Sequence, residues 1–174
     1  MQVATRTFLT LRDGTVVYVR PLRRGDRAGL ADAIERLSEE SRYLRFASAK
    51  PSLSPRELDF LVNVDHHDHE ALVAVDPATR LGVAVVRYVH VRREPGVVEI
   101  AAAVADDWQG RGLGGAMIGL LADRAREEGH SVMRASVLAA NNRSIAMLRR
   151  WGFVALGGSG IMREYERPLA APPH

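Results

Sequence analysis

Val104-Ala105-Asp106-Asp107-Trp108-Gln109-Gly110-Arg111-Gly112-Leu113-Gly114-Gly115 carries four glycines in its last six positions. The run before it, Val97 to Val104, is apolar and reads as a strand. After it, Leu113, Ala116, Met117, Leu120 and Leu121 recur at helical spacing, and Gly129 stands where a helix would stop. The glycines therefore sit in a strand-to-helix turn. A residue without a Cβ lets the backbone approach a ligand closely. The unpaired amides of a helix start point at the same spot, and the helix dipole adds partial positive charge. Such a turn is an anion site suited to a pyrophosphate, with Arg111 available as a mobile cation at its rim.

Three readings compete for this turn. A P-loop would end in Gly-Lys-Ser/Thr, and no such ending is present. Gly110, Gly112 and Gly115 formally satisfy the dinucleotide pattern G-x-G-x-x-G. However, Asp106 to Gln109 separate them from the strand, and the next strand, Val132 to Leu138, offers no acid for a ribose. A glycine-rich turn with no ligand is the third reading. It carries the entropic cost of four glycines with no return.

Working outward, Thr15 to Arg20 follows the turn signal Asp13-Gly14 and reads as a strand ended by Pro21. Asp26 can cap a helix to about Leu37, with Leu30, Ile34 and Leu37 on one face. Ser38 can cap a second helix carrying Tyr43, Leu44 and Phe46. Ser54-Pro55-Arg56-Glu57 has the pattern of a capping box with proline at the first helical position. Ala71 to Val75, Leu81 to Val91 and Val97 to Val104 then form an antiparallel meander. Beyond the central helix come a strand at Val132 to Leu138 and a helix begun by Asn141 or Asn142, with Ile145, Leu148 and Trp151 inward. Phe153 to Leu156 and Ile161 to Tyr165 close the series. The predicted order is β-α-α-(α)-β-β-β-α-β-α-β-β, an α/β (α+β) fold with a mixed sheet covered by helices. One domain spans residues 1–174, with a core of about 15–166 and a loose tail over 168–174.

Composition narrows the function classes. The 174 residues suit a single domain, and 47% hydrophobic with 26% charged residues is ordinary for a globular chain. There is no cysteine, which excludes disulfides, thiolate metal sites and a cysteine nucleophile. No apolar run approaches a membrane span, and a cytoplasmic protein is expected. The net charge is only +3, and the arginines are scattered rather than massed. No nucleic-acid or membrane partner is therefore expected.

Gln109-x-x-Gly112-x-Gly114 resembles the Q/R-x-x-G-x-G/A signature of the GNAT N-acetyltransferase superfamily. Asn141-Asn142-Arg143-Ser144 followed by Trp151-Gly152-Phe153 is similar to its second conserved segment. Arg20-Pro21-Leu22-Arg23 and Leu37 to Phe46 resemble bacterial protein-lysine acetyltransferases of the superfamily. The resemblance spans roughly Thr15 to Glu166. It implies acetyl-CoA as the acetyl donor and a sheet splayed between its fourth and fifth strands. It further implies that the amides of Gln109, Gly110, Arg111, Gly112, Leu113, Gly114 and Gly115 hold the pyrophosphate. The pantetheine arm would pair with Ala102, Ala103 and Val104, and Asn141 would touch the arm beyond.

The implied reaction moves an acetyl group from the thioester to a primary amine, either a protein lysine or a small-molecule amine. A lysine-like amine with a solution pKa of about 10.4 must lose a proton before it attacks. Glu99, on the strand Val97 to Val104, is the candidate base; the alternative is a solvated glutamate at a strand edge. A backbone N–H near Val104 could polarise the thioester carbonyl. The family position for a tyrosine acid is occupied by Leu148. That gap keeps alive a rival reading, a non-catalytic domain that senses acetyl-CoA. His66-His67-Asp68-His69 resembles a metal cluster, but a solvated loop is preferred and no metal site is expected. This loop could instead line the acceptor site. Trp108 is expected to pack beneath the glycine turn, and the final strands offer an edge through which two copies could pair.

Overall fold

The computed structural model describes residues 6–47 and 52–169. Eight strands form one sheet: β1 (Thr7–Thr10), β2 (Val16–Pro21), β3 (His69–Val75), β4 (Gly82–His90), β5 (Val97–Val104), β6 (Val132–Leu138), β7 (Val154–Gly157) and β8 (Met162–Pro168). Their order across the sheet is β1-β2-β3-β4-β5-β6-β8-β7. Every neighbouring pair is antiparallel except β5 with β6. The helices are α1 (Arg27–Glu35), α2 (Glu39–Phe46), α3 (Pro55–Val62), α4 (Leu113–Glu127) and α5 (Asn142–Arg150). No helix among the described residues is long and apolar enough to cross a membrane.

Local chemistry sets the helix starts. Ser38 Oγ accepts from Ser41 N, and Ser54 with Glu57 closes a reciprocal box of 3.3 and 2.9 Å bonds. Asp26 precedes α1 but does not cap it with its side chain. Its carboxylate takes a bidentate pair of bonds from Arg20 at 2.7 and 2.8 Å. Asn141 caps α5 through Ser144 N at 3.1 Å.

The pleat of β3 divides the core in two. Leu72 and Ala74 face one layer with Leu113, Met117 and Leu121 of α4 and Leu148 of α5. Ala71, Val73 and Val75 face the other, with Leu30 and Ile34 of α1 and Leu58 and Val62 of α3. Side chains alternate across a strand, so a seven-residue strand buried throughout must be covered on both faces.

Two boundaries depart from the sequence expectation. The sheet begins earlier, because Thr7–Thr10 forms a hairpin with β2 closed by Leu11 N to Thr15 O at 2.8 Å. Only four residues long and half-exposed, this edge strand carries little periodic signal. At the other end β8 includes Pro168, and Leu169 is buried in the core, so those two residues do not belong to a loose tail. The rest of that expected tail, 170–174, lies outside the described residues.

Candidate active site

The parallel ladder between β5 and β6 is short. It pairs Val97 with Val132 and ends with Ile100 opposite Ala135. Past that point Ala101–Val104 stays bonded to β4, and Ser136–Leu138 stays bonded to β8. The two strands part, leaving facing backbone edges without each other. The opening belongs to a groove of about 1270 Å³ that reaches the glycine turn and the start of α5.

At the head of this groove the chain passes through a short 3-10 turn, Asp106–Trp108, and enters α4 through Gly112. Gly110 and Gly112 adopt φ of +76° and +87°, a region L side chains rarely occupy. The first backbone bond of the helix runs from Ala116 N to Gly112 O. The amides of Gly110 through Gly115 donate to no described backbone carbonyl. They form a concave set of donors at the positive end of a 15-residue helix, with Arg12 and Arg143 also lining the groove.

The turn is held from behind by its own side chains. Gln109 Nε2 donates to Val104 O at 3.0 Å and to Ser41 Oγ at 3.1 Å, while its Oε1 accepts from Arg143. Asp106 binds Ser38 N, Ser38 Oγ and Ser41 Oγ at 2.7–2.9 Å. Partial burial pushes the Asp106 carboxyl up, but the bonds from Ser41 and Ser38 outweigh it and leave the pKa below the ordinary value. This clamp fixes α2 beside β5 and so walls the groove. The sequence pointed to Ser38 as a cap; nothing local pointed to Asp106, 68 residues away.

All of the residues expected at the cofactor site meet here. Ala102, Ala103, Val104, Gln109, Gly110, Arg111, Gly112, Leu113, Gly114, Gly115 and Asn141 all line this one groove. Arg111 and Gly115 have roles that sequence did not indicate, while Asn141 takes the helix-starting role the sequence offered it. Arg111 is engaged rather than free at the rim: it reaches Asp107 O at 2.8 Å and Asp13 at 3.2 Å and covers the Trp108 ring. Asn141 spends its side-chain oxygen on capping α5. Gly115 must be glycine because of Trp151, since a Cβ there would lie 2.2 Å from the indole Nε1. Gly115→Val should therefore cost about 1–3 kcal/mol from overpacking, a melting temperature lower by roughly 2–10 °C. A thermal melt with no decrease would show that the indole moves aside freely.

Glu99 stands apart from these residues. It is exposed, opposite Val89 on one side and Arg134 on the other, and does not line the groove. The pleat puts it on the same face of β5 as Ala101 and Ala103, which do. Leu148 is buried, as a residue without a proton to give. The histidine loop lies by the other end of α4, where His67 Nδ1 meets Glu128 at 2.6 Å and His66 Nδ1 meets Glu70 at 2.8 Å. It does not line the groove, so the expectation of an acceptor-lining loop is not supported. Among the described residues no group of three or more His, Asp or Glu is placed to hold a metal ion. Trp108 packs against the core beneath the turn.

A mixed sheet with one parted parallel pair, headed by a glycine-lined helix N-terminus, offers a groove with amide donors suited to a phosphate-bearing ligand. The profile of the acetyltransferase (GNAT) family matches residues 31–153, and the chain belongs to that family. It is an N-acetyltransferase whose donor is acetyl-CoA. An acetyltransferase of Pseudomonas aeruginosa is 35% identical over 147 residues, covering 83% of this chain and 78% of the relative. Acetyltransferase Pat of Mycolicibacterium smegmatis is 32% identical over 83% of this chain, which spans only 43% of that relative. The solved GNAT domain of S. lividans PAT superposes with a TM-score of 0.89 at 30% identity, covering 94% of this chain and 97% of that one.

Proposed function

We propose that this chain acetylates a primary amine, with a protein lysine as the acceptor class its early segments favour. The observation that carries the reading is the end of the β5–β6 ladder at Ile100 and Ala135, in the same groove as the turn whose amides donate to no described backbone carbonyl. The pyrophosphate of acetyl-CoA accepts hydrogen bonds from the amides of Gly110 to Gly115. The pantetheine arm takes the place of a strand along Ala102, Ala103 and Val104, and passes Asn141. The thioester then emerges near Ala101, on the face that α2 covers.

The acceptor amine loses a proton through water to Glu99, then attacks the acetyl carbon. The C–N bond forms, the carbonyl oxygen gains charge beside a β5 amide, the attacking nitrogen gives its second proton to water, and the C–S bond breaks to release the thiolate. With Leu148 in the usual acid position, the thiolate leaves as such and takes its proton from solvent. Two copies pair through β7, the edge strand where Val154 and Leu156 are exposed. The test is thiol release from acetyl-CoA across lysine peptides, polyamines and aminoglycosides. Turnover on lysine peptides is expected. Saturable coenzyme A binding with no release on any amine would favour the donor-sensing alternative instead.

A further inference from the structure

Two neighbouring arginines form no ion pair with an acid among the described residues: Arg45, which lines the groove, and Arg87, whose strand position is opposite Ala101. Arg87 on β4 sits opposite Ala101 and is 4% exposed. Its Nη1 donates to Leu61 O at 2.9 Å and stands 3.0 Å from His69 Nε2, neither of them an acid. Arg45 on α2 lies one helical turn beyond Ser41, on the same side, and lines the groove with Leu44 and Ala101. Its guanidinium lies 4.8 Å from the Phe46 ring centroid and makes no hydrogen bond or ion pair with any described residue. Burial lowers the Arg45 pKa, and burial followed by repulsion from Arg45 takes Arg87 down to about 10.

Three other partly buried arginines are paired with acids, whereas Arg167 leaves a buried Nη1 without a hydrogen-bond partner among the described residues. Arg20 has Asp26, Arg124 has Glu70, and Arg134 has Glu94 and Glu166. Glu40 shares the groove and Glu99 shares the strand face, yet neither forms an ion pair with Arg45. A desolvated charge is ordinarily paired, and two like charges side by side are costly. Such an arrangement makes sense where a ligand brings the counter-charge. The planar fork of arginine matches a carboxylate with two parallel bonds. The planar fork of Arg45, which lines the groove, suits one singly charged anion.

We propose that Arg45 binds a carboxylate carried by the acceptor, so that this transferase selects amines with an acid group a few bonds from the reacting nitrogen. The proposal rests on the acetyl-transfer reading above. A free amino acid or a lysine next to an acidic residue would supply this chemistry. The carboxylate docks on Arg45 and holds the amine at the Ala101 end, where the parted strands deliver the thioester.

The test compares matched acceptors: free amino acids against their carboxamides, and lysine peptides with an adjacent Asp against those with Asn. O-phosphoethanolamine serves as a phosphate control. The unmodified enzyme should favour the acid-bearing member by about ten- to hundredfold in kcat/KM, expressed in KM. The arm showing the preference identifies the source as free amino acid or peptide. Arg45→Gln should erase it, and Arg45→Lys should restore part of it. Coenzyme A titration of each variant reports on the donor site. Equal rates on each matched pair, a preference retained in Arg45→Gln, or a preference for the phosphate amine would overturn the assignment. Absence of turnover on every amine, with coenzyme A bound, would instead remove the transfer reading itself.

Discussion

Gly112→Val should weaken coenzyme A binding by at least about a hundredfold while leaving the fold intact. Gly112 holds φ of +87° at the entry to α4. A β-branched residue in that region is a strained outlier costing about 1–3 kcal/mol. A Cβ there would also lie 3.2 Å from Arg12 Nε. The turn can relieve the strain only by rotating the peptide groups that flank it. That rotation turns the convergent amides of Gly110 to Gly115 away from a common point. Hydrogen bonds to a charged group contribute about 1.5–3 kcal/mol each, so losing two of them supplies the predicted change. Titration calorimetry measures it, with circular dichroism as the check on folding. Native-like affinity in a folded variant would mean that the phosphates bind elsewhere.

Glu99→Gln should slow acetyl transfer by about 10²–10⁴-fold at neutral pH, the range general-base catalysis contributes. The substitution keeps shape and removes only the ability to accept a proton, so coenzyme A affinity should not change. The deficit should shrink as pH rises towards the acceptor amine's own pKa of about 10.4, because the amine then arrives without its proton. The direction of that convergence separates a proton-accepting role from a structural one. Superimposable pH–rate profiles for the two enzymes would take Glu99 out of the reaction. Its exposed place on β5, outside the groove lining, makes a bridging water part of the proposal.

Much of the donor side was readable before any coordinates. Turn chemistry and periodicity are local, so Gly112 as a helix entry, the amphipathic α4 and the asparagine that caps α5 follow from neighbouring residues. Contacts between distant residues do not. Nothing in Asp106 announces that it will bind Ser38 and Ser41, and nothing in Gln109 announces Arg143, 34 residues further on. Gly115 looked like a cofactor glycine, yet the requirement for glycine comes from Trp151, which packs on it from α5's end. Arg111 looked free because its partners Asp13 and Trp108 are placed by the hairpin and the turn.

Strand register was the largest gap. A one-residue slip exchanges the two faces of a strand, so sequence alone could not say whether the face shared by Glu99, Ala101 and Ala103 or the one shared by Val98 and Ile100 turns towards α2. Nor could it show where the β5–β6 ladder stops. Pairing ends at Ile100 and Ala135 although both strands continue for several residues. The influence of Arg45 on Arg87 depends on the same register, because β4 must place Arg87 opposite Ala101 on β5, the strand that α2 packs against.

A crystal structure grown with saturating coenzyme A tests the central claim most directly. It should show the diphosphate within hydrogen-bond reach of the amides of Gly110 to Gly115, and the arm lying between Ala101–Val104 and Ser136–Leu138. Density for the cofactor anywhere else, or a bare glycine turn under the same conditions, would contradict it.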